Sequence, residues 1–482
     1  MHLTRPRVLL LALAALTVSA CDDAPIAGPG PLMDGARFSA DAQAGATSDF
    51  VILANGALNS RLAESVAAAG GELTAVHPQI GVALARSNNP EFAMRVGSLS
   101  GIQAVVPDMM VAWTDPNIRV QELAASGSAP AEAVASIGDD ESFFPLQWSA
   151  PAISLPEAWN AGARGAGVRI AILDGGIYHA HADIAPNLDV AASASMVPGQ
   201  PFNADVGTFW HGTHVAGIAA GAANGIGTVG VAPEATIIGV KVLHSGSGQF
   251  GWIINGIMYA GTPQAQGGAG ADVINMSLRG AFFLQGSGAA HLQNAISRAT
   301  TYATQQGVTV IAAAGNDFLD LDHTANLLIV PAQSANVVTV SATSPVGWAV
   351  NPSTADVDLP ASYTNFGRSA IDLAAPGGDF AYPGNELCNV AGIVVPCWVF
   401  DGVMAACRGQ PASTTTFCWA NGTSMAAPHV AGVAALIIEK NGGPMMPAHV
   451  LAKLRASVDD LGQPGQDPYY GRGRLNALRA VQ

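Results

Sequence analysis

The sequence has few charged residues, and basic residues are the scarcer kind. Only 11% of the 482 residues are charged, with 20 Lys and Arg against 35 Asp and Glu, so the formal net charge at pH 7 is −15. A protein that binds nucleic acid needs basic patches to meet phosphates, and this composition argues against that class. The chain is also 49% hydrophobic, which is too apolar for an intrinsically disordered protein.

Long apolar runs are absent beyond the N-terminus, so we do not expect the body of the chain to span a membrane. The N-terminus itself has the pattern of an export signal. Arg5 and Arg7 precede the apolar run 8–16, and small residues at 18–20 offer a cleavage site. Cys21 follows directly, and the sequence VSAC resembles a bacterial lipobox, in which the cysteine is lipidated. Ordinary cleavage before an unmodified Cys21 is the alternative. We predict an exported protein, extracellular or in the cell envelope, with a precursor that is lipid-anchored if Cys21 is modified.

Cysteine is scarce as well, and four of the five cysteines lie in one late stretch, 378–420. No Cys-x-x-Cys pair occurs there, and an exported protein matures in an oxidising compartment. An even number of cysteines therefore favours two disulfides over a metal site, with three pairings open. The four residues are Cys388, Cys397, Cys407 and Cys418.

The first 144 residues divide into three parts after the signal. Residues 22–49 are rich in Ala, Gly, Asp and Pro without periodicity and are typical of a flexible tether. Residues 50–113 predict strands and helices in the order βαββαβ, a small α+β split-βαβ unit. Residues 114–144 return to a linker composition.

From residue 145 to 482 the pattern predicts one large α/β domain. Short apolar runs alternate with helical segments, which indicates a doubly wound parallel sheet with helices on both faces. The apolar runs are Val168 to Leu173, Thr236 to Val242, Asp272 to Ser277, Val308 to Ala313 and Val337 to Ser341.

Three segments of this domain carry the residue types of a serine acyl-transfer site. A buried strand ends in Asp174, a helix opens with His211 in HGTHVAG, and another opens with Ser424 in NGTSMAAPHVAG. Acyl transfer by serine needs a base for the hydroxyl proton and a carboxylate that orients this base. Each residue alone could be a turn, a cap or a buried polar group. Together, in the chain order Asp, His, Ser, they favour catalysis.

These segments resemble the signature blocks of subtilisin-like serine peptidases, the subtilase family, and the resemblance covers most of residues 150–482. It implies a mainly parallel seven-stranded sheet and hydrolysis of peptide bonds through an acyl-enzyme, without a cofactor for catalysis. By this resemblance Ser424 is the nucleophile, His211 the general base and Asp174 the orienting carboxylate. Asn316, in the matching AAAGN sequence, is the oxyanion-hole donor. His214 does not match the position of the base, and we interpret it as structural.

The resemblance also implies how a substrate binds. In the family the substrate lies extended between two backbone segments as an added strand. Two departures from the family pattern occur: Gly175 stands where Ser or Thr usually follows the aspartate, and Arg279 replaces a glycine. We expect Arg279 to favour acidic residues near the cleavage site, with apolar residues tolerated and broad specificity otherwise. The matching substrate-binding residues are Gly246, Ser247, Gly248, Ser277, Leu278, Arg279 and Gly280.

A structural Ca²⁺ is implied as well, through main-chain and side-chain oxygens of one loop and a nearby carboxylate. Asp372 matches a second, weaker calcium position of the family. The residues implied for the first site are Asp183, Ala222, Asn224, Ile226 and Thr228.

Residues 50–113 resemble a subtilase propeptide, which serves as folding template and temporary inhibitor. The expected partners are therefore protein or peptide substrates and the chain's own propeptide, with no nucleic acid, and the mature form is expected to be a monomer. The alternative function is a surface-bound pseudoenzyme that keeps the fold to bind peptides. An α/β-hydrolase esterase is disfavoured because no Gly-x-Ser-x-Gly sequence occurs.

Overall fold

The computed structural model describes residues 47–115, 118–123, 140–206, 209–283, 288–324, 326–408 and 414–482. The predicted signal, Cys21 and almost all of the tether lie outside these ranges, as do 116–117 and 124–139 of the linker. No helix in the described ranges is both long enough and apolar enough to cross a bilayer.

The N-terminal unit is a four-stranded antiparallel sheet with two helices on one face. Its strands lie in the order β2–β3–β1–β4, and the βαββαβ succession agrees with the sequence pattern. Apolar residues at steps of four, Leu62 and Val66 on one helix and Phe92 and Val96 on the other, pack on that face. The elements are β1 (Ser48–Ala54), α1 (Leu62–Ala68), β2 (Gly71–His77), β3 (Val82–Ser87), α2 (Phe92–Gly97) and β4 (Ile102–Pro107).

Two short strands follow this unit in the chain, and both leave it to pair with the main domain. They are β5 (Met110–Ala112) and β6 (Val120–Leu123). The strands of the main domain are β7 (Arg169–Asp174), β8 (Ala194–Ser195), β9 (Thr236–Lys241), β10 (Ser247–Gln249), β11 (Val273–Met276), β12 (Gly280–Phe283), β13 (Thr309–Ala313), β14 (Leu327–Val330), β15 (Val338–Ser344), β16 (Leu359–Pro360), β17 (Leu373–Pro376), β18 (Leu387–Val390), β19 (Ile393–Pro396), β20 (Val403–Cys407) and β21 (Thr416–Ala420).

The helices of the main domain are α3 (Ser149–Ala152), α4 (Leu155–Asn160), α5 (His211–Ala220), α6 (Phe250–Gly261), α7 (Ala289–Gln305), α8 (Thr423–Lys440), α9 (Pro447–Ala456) and α10 (Ala477–Val481). Two of these helices begin with candidate catalytic segments, α5 with His211 and α8 with Thr423 and Ser424.

An eight-stranded sheet forms the centre of the main domain, in the order β16–β15–β13–β11–β7–β9–β8, with β17 also paired to β15. Only the pairing of β16 is antiparallel, which leaves the predicted parallel sheet of seven strands. Its inner strands are buried on both faces, which explains their almost unbroken apolar sequences. Helices α5 and α8 cover one face, and α6 and α7 cover the other.

The sheet of the N-terminal unit packs on α6 and α7 through its second face. Leu53, Val82 and Leu84 belong to the same buried cluster as Ile253 and Ile296 of these helices. Hydrogen bonds between the N-terminal unit and helices α6 and α7 accompany this apolar contact. Asp108 accepts from the N–H of Gly251, and the Arg298 guanidinium donates to the carbonyl oxygens of Ala54 and Ile80.

The late cysteines form two disulfides in a pair of β-ribbons. Cys388–Cys397 closes the hairpin of β18 and β19, and Cys407–Cys418 links β20 to β21. This resolves the three pairings that the sequence left open. The second ribbon runs directly into α8, and β6 pairs with its outer strand, β21.

Candidate active site

Asp174 and His211 form a buried hydrogen-bonded pair at the carboxyl edge of the sheet. Asp174 ends β7 and is only 1% exposed. Its Oδ2 lies 2.8 Å from His211 Nδ1, and its Oδ1 accepts the N–H of Gly175 at 2.7 Å. The carboxylate therefore fixes the orientation of the imidazole, as a general base requires.

Gly212 permits this close approach of helix α5 to the end of β7. A Cβ at this position would lie 2.9 Å from the Cβ of Asp174 and 2.5 Å from the carbonyl oxygen of Gly176. Any side chain here would push His211 away from the carboxylate. Glycine is therefore required on steric grounds at position 212, the second residue of HGTH.

Ser424 lies in the first turn of α8, after Gly422 with its positive φ of 150°. Its Oγ donates to the carbonyl oxygen of Ser277 at 3.4 Å, and its own carbonyl accepts from Ser277 Oγ at 2.7 Å. The buried Nε2 of His211 has no hydrogen-bond partner among the described residues. The hydrogen bond between nucleophile and base is therefore not made among the described residues; catalytic hydrogen bonds often tighten only in the Michaelis complex or the transition state.

Asn316 is held beside Ser424 by Thr423, the residue that precedes the serine. The Oδ1 of Asn316 accepts from both the N–H and the Oγ1 of Thr423, at 2.9 and 2.7 Å. The amide nitrogen is thereby left to point across the site, where its Nδ2 donates to the carboxylate of Asp115 at 3.2 Å. Asn316 thus directs a rigid donor at the cleft, which suits an oxyanion hole. Sequence reasoning found Asn316 but missed Thr423.

The space beside Gly175, the first departure from the family pattern, is filled by a residue that sequence reasoning missed. A Cβ at Gly175 would lie 2.6 Å from Oδ2 of Asp205. The buried Lys241 lies 4.0 Å from this carboxylate and donates to the carbonyl oxygen of Gly175. Burial raises the pKa of Asp205 to about 6. A second carboxylate thus accompanies Asp174 near the imidazole.

The environment of His211 acts on its pKa in opposite directions. Burial lowers it, whereas the charge and hydrogen bond of Asp174, together with the charge of Asp205, raise it, and the net pKa is above the usual 6.5. No carboxylate of the described ranges acts on His214, one turn later, and burial lowers the pKa of this histidine to about 3. Its Nε2 lies 3.0 Å from the carbonyl oxygen of Cys418, which supports the structural interpretation of this residue.

This pKa predicts the pH profile of hydrolysis. A base must be unprotonated, so kcat/KM should rise with pH with a midpoint above 6.5 and then stay high. Asp205→Asn removes one negative charge near the imidazole and should move the midpoint to lower pH. The measurement is kcat/KM of both enzymes on one neutral peptide between pH 4 and 10. A maximum at pH 4, or an unchanged midpoint in the variant, would contradict this assignment.

The chain's own residues 110–115 occupy the cleft between the two predicted substrate-binding segments. Strand β5 pairs antiparallel with β10, with Ala112 opposite Ser247 and Val111 opposite Gly248. The N–H of Trp113 then donates to the carbonyl oxygen of Gly246, and its own carbonyl accepts the N–H of Arg279, at 2.9 and 2.8 Å. Both predicted segments therefore bind an extended chain here.

A buried aromatic pocket holds the side chain of Trp113. The indole packs against Phe250 and Phe282, with ring centroids 5.0 and 6.0 Å away, and its Nε1 donates to the carbonyl oxygen of Gly248. Gly280 lines the same pocket, because a Cβ there would lie 3.1 Å from the indole ring. Leu278 is buried in the same apolar cluster. The pocket can therefore take a large apolar side chain.

Arg279, the second departure, is not a free positive charge. Its guanidinium forms an ion pair with Asp317, and both side chains are mostly buried, each 15% exposed. The sequence suggested that Arg279 selects acidic substrate residues. A paired charge offers little to such residues, so the geometry gives no support to an acidic preference.

The residues implied for Ca²⁺ do come together in one loop region. Oδ2 of the buried Asp183 accepts from the N–H and the Oγ1 of Thr228, and the Asn224 amide donates to the carbonyl oxygen of Ala182. Glu141, which sequence reasoning missed, accepts the N–H groups of Asn224 and Gly225. The loop residues Ala222 and Ile226 complete the implied set, their N–H groups donating to the Asp183 carbonyl oxygen and Asn224 Oδ1 respectively.

Two buried carboxylate oxygens in this region lack a hydrogen-bond partner within the part of the chain that the structure describes. They are Oδ1 of Asp183 and Oε2 of Glu141, and burial raises the pKa of both groups, that of Asp183 well above 3.8. A hard cation with oxygen ligands would satisfy these atoms, so the residues fit Ca²⁺. Among the described residues, however, no group of three or more His, Cys, Asp or Glu side chains is arranged so that it could hold a metal ion. Carbonyl and amide oxygens would have to supply the remaining ligands.

Asp372, the second calcium position, is already engaged by protein groups. Its Oδ2 accepts the N–H of Thr339 at 2.8 Å, and its Oδ1 is paired with Arg455. Its carboxylate is thus paired with a guanidinium in the described structure, and the second calcium position stays a prediction.

The chain is similar to serine peptidases in both sequence and structure. Residues 165–473 match the sequence profile of the subtilase family. Subtilisin E of Bacillus subtilis (strain 168) is 33% identical over 334 residues, which cover 68% of this chain and 70% of the relative. Subtilisin Savinase of Lederbergia lenta is 33% identical over 340 residues, which cover 70% and 99%.

Solved structures with the same fold include two proteases. A protease from Pseudoalteromonas arctica PAMC 21717 has a TM-score of 0.55 at 31% identity and covers 72% of this chain and 99% of that one. The epidermin leader peptide processing serine protease (EpiP) from Staphylococcus aureus has a TM-score of 0.67 at 20% identity and covers 90% and 98%. The latter likeness concerns the fold alone.

Proposed function

The chain belongs to the subtilase family and is a serine endopeptidase; from this premise we propose that it is exported, processes its own precursor and cleaves proteins with a broad, apolar preference. The observation that carries the proposal is the cleft around Asp174, His211 and Ser424, in which a segment of the same chain lies extended as a substrate would.

The geometry supports a stepwise acyl transfer. Ser424 Oγ attacks the substrate carbonyl while His211 Nε2 takes its proton, and Asp174 stabilises the imidazolium that forms. Asn316 Nδ2 and the N–H of Ser424 donate to the oxyanion. His211 then returns the proton to the leaving amine, and water hydrolyses the acyl-enzyme by the same steps. No cofactor takes part in this sequence.

We propose that residues 50–113 act as a propeptide that inhibits the enzyme until it is cut away. The pairing of β5 with β10 and the burial of Trp113 block the cleft, and Asp115 engages the amide of Asn316. The main sheet consists of non-local parallel pairs, which form slowly, so a template that packs on α6 and α7 would also assist folding. Processing would fall in the linker 114–144.

Export is proposed from the N-terminal signal, and the two disulfides fit an oxidising compartment. If Cys21 is lipidated, the anchor lies in the part that processing removes. The precursor would then be membrane-bound and the mature monomer free. Active mature enzyme that stays with the membrane without its propeptide would contradict this separation.

We propose that Ca²⁺ binds between Asp183 and Glu141 and stabilises the mature enzyme. A ligand that binds only the native state adds stability by mass action, so EDTA should accelerate thermal inactivation severalfold. The measurement is the inactivation rate with EDTA, with EDTA plus excess Ca²⁺, and without either. A matched variant, Asp183→Asn, should inactivate fast in all three. Equal rates for the wild type with and without EDTA would contradict the site.

N-terminal sequencing and intact mass of the secreted protein test self-processing and export together. The expected mature chain lacks residues 1–113 and begins within the linker. A secreted protein that still carries the N-terminal unit, yet hydrolyses peptides at full rate, would contradict the inhibitor assignment.

A further inference from the structure

An extended segment of the same chain, β6, pairs with the outer edge of β21 close to the catalytic serine. Strand β6 pairs antiparallel with β21, with Val120 opposite Ala420 and Leu123 opposite Phe417. Just before β6, the N–H of Arg119 donates to Oδ1 of Asn421, which precedes Ser424 by three residues. A β-strand edge close to the nucleophile is therefore able to bind a polypeptide backbone.

The segments on the two sides of Ser424 follow one chain direction. Strand β5 pairs antiparallel with β10 before the site, Asp115 touches Asn316 within it, and β6 pairs antiparallel with β21 after it. The N-terminal side of this path is the acyl side of a cleaved peptide, so the β21 side is the leaving-group side. A substrate in the same direction would meet both edges.

The β21 edge is held rigidly against the catalytic helices. Cys407–Cys418 links β21 to β20, the His214 side chain contacts the carbonyl oxygen of Cys418, and β21 continues into α8 after two residues. Helix α5 packs closely on this ribbon, because a Cβ at Gly217 would lie 3.1 Å from Ala406. Because this edge is already rigid, only the substrate loses conformational entropy when it pairs with the strand.

We propose that the edge of β21 is a binding site for the leaving-group side of extended polypeptide substrates, which replace β6 once the N-terminal unit and its linker have left. This rests on the proposed function. An edge strand that loses its partner presents unpaired N–H and C=O groups, and an extended peptide can add to it. The enzyme would thus favour unfolded polypeptides over short peptides.

The contacts of β6 also indicate which side chains fit. Ile118 and Val120, at alternate positions, pack against the main apolar core, and Leu123 is buried in it. Ile118, Val120, Gln121 and Glu122 are all partly buried, and of these four the two apolar side chains pack on the core. Substrates with apolar residues at the positions of Ile118, Val120 and Leu123 should therefore bind best on the leaving-group side.

The site exists in the mature enzyme only if β6 departs. A cut where the chain passes the catalytic residues, near Asp115, would leave β6 at the new N-terminus, so the proposal requires a second cut. The mature N-terminus should then follow Leu123 and lie no later than Glu141, the proposed Ca²⁺ ligand, which precedes the bond between the Phe143 N–H and the carbonyl oxygen of Gly227. A mature chain that begins before Val120 would keep β6 on the edge and would overturn the proposal.

Peptide length gives the first test. Two fluorogenic peptides share one acyl-side sequence; one ends two residues after the cleaved bond, and the other continues with the sequence of residues 118–123. The longer peptide should have about tenfold higher kcat/KM, mainly through KM, because several backbone hydrogen bonds add up. Equal kcat/KM for both would overturn the proposal, while cleavage of the short peptide still tests the peptidase function independently.

N-methylation of the longer peptide separates strand pairing from mere length. In an antiparallel ladder alternate residues point their N–H groups toward the partner. Methylation at one alternating set of nitrogens should therefore remove the gain, and methylation at the other set should leave most of it. Equal losses for both sets would overturn the pairing.

Two matched cysteine variants test whether the higher kcat/KM of the longer peptide depends on the ribbon of β20 and β21. Cys407→Ala/Cys418→Ala removes the link to β21 and should reduce the gain from the longer peptide. Cys388→Ala/Cys397→Ala removes a disulfide of the other hairpin and should leave the gain intact. Loss of the gain in both variants, or in neither, would contradict the assignment to β21. If the first variant does not fold, the N-methyl series decides the question.

Discussion

Replacement of Ser424 by alanine is expected to abolish hydrolysis and to leave the precursor uncut. The substitution removes the hydroxyl that attacks the carbonyl, and the loss in kcat should be about 10⁶-fold, the scale seen when the serine is removed from a Ser–His–Asp triad. Ser424 is buried beside Ser277 in the first turn of α8, and loss of one weak hydrogen bond of 3.4 Å should leave the fold intact.

The measurement is the size of the protein made in a host without other proteases, together with its rate on a fluorogenic peptide. The variant should accumulate at precursor size, with the wild type at mature size. Ser353→Ala, at an exposed loop position, is the matched control and should mature like the wild type. Mature-size protein from the Ser424 variant would mean that another enzyme performs the processing.

Replacement of Asp174 by asparagine should have the second largest effect, about 10⁴-fold in kcat. Asparagine keeps the shape of the side chain, but it removes the charge that stabilises the imidazolium and can present an N–H to Nδ1 of His211. The wrong tautomer of the imidazole would then face Ser424. The pair is buried, so water cannot replace the carboxylate.

Asp205→Asn is the control for this prediction, because it removes a neighbouring charge that does not contact the imidazole ring in the described structure. It should shift the pH profile and cost far less in kcat. Both variants should be compared on the purified mature enzyme, with thermal unfolding as the check on folding. A loss below tenfold for Asp174→Asn would contradict its role as the orienting carboxylate.

The catalytic residues could be predicted from sequence because each lies in a local pattern with its own physical reason. Asp174 ends an apolar strand, and His211 and Ser424 open helices whose next turns are small and apolar. Parallel strands bring such ends to one edge of the sheet, so the local patterns also imply the meeting of the three residues. Five of the seven parallel strands, β7, β9, β11, β13 and β15, follow from the apolar runs, whereas β8 and β17 were implied only by the family resemblance.

The supporting residues could not be predicted in this way, because their role depends on loops that meet across the fold. Asp205 lies in an irregular loop before α5, and only the fold brings it to the space beside Gly175. The Arg279–Asp317 pair spans a sequence separation of 38, so sequence alone left the arginine free. The three consecutive acidic residues 139–141 at the end of the linker were a usable signal for Glu141, because carboxylates are preferred ligands of Ca²⁺.

The pairing of β6 with β21 was also beyond local pattern reasoning. Residues 114–144 have the composition of a linker, and four residues, 120–123, give too short a run to indicate a strand. The partner strand lies almost three hundred residues later in the chain, within the cysteine-rich stretch. The outer edge of this strand therefore became visible only in the fold.

Labelling of the secreted, processed protein with a serine-directed fluorophosphonate tests the central claim most directly. The account predicts one phosphonylated residue, Ser424, identified by peptide mass spectrometry, with complete loss of peptide hydrolysis at one label per chain. Labelling should become much slower in the Asp174→Asn variant, because the base is misoriented. Processed protein that hydrolyses peptides yet carries no label on Ser424 would contradict the account.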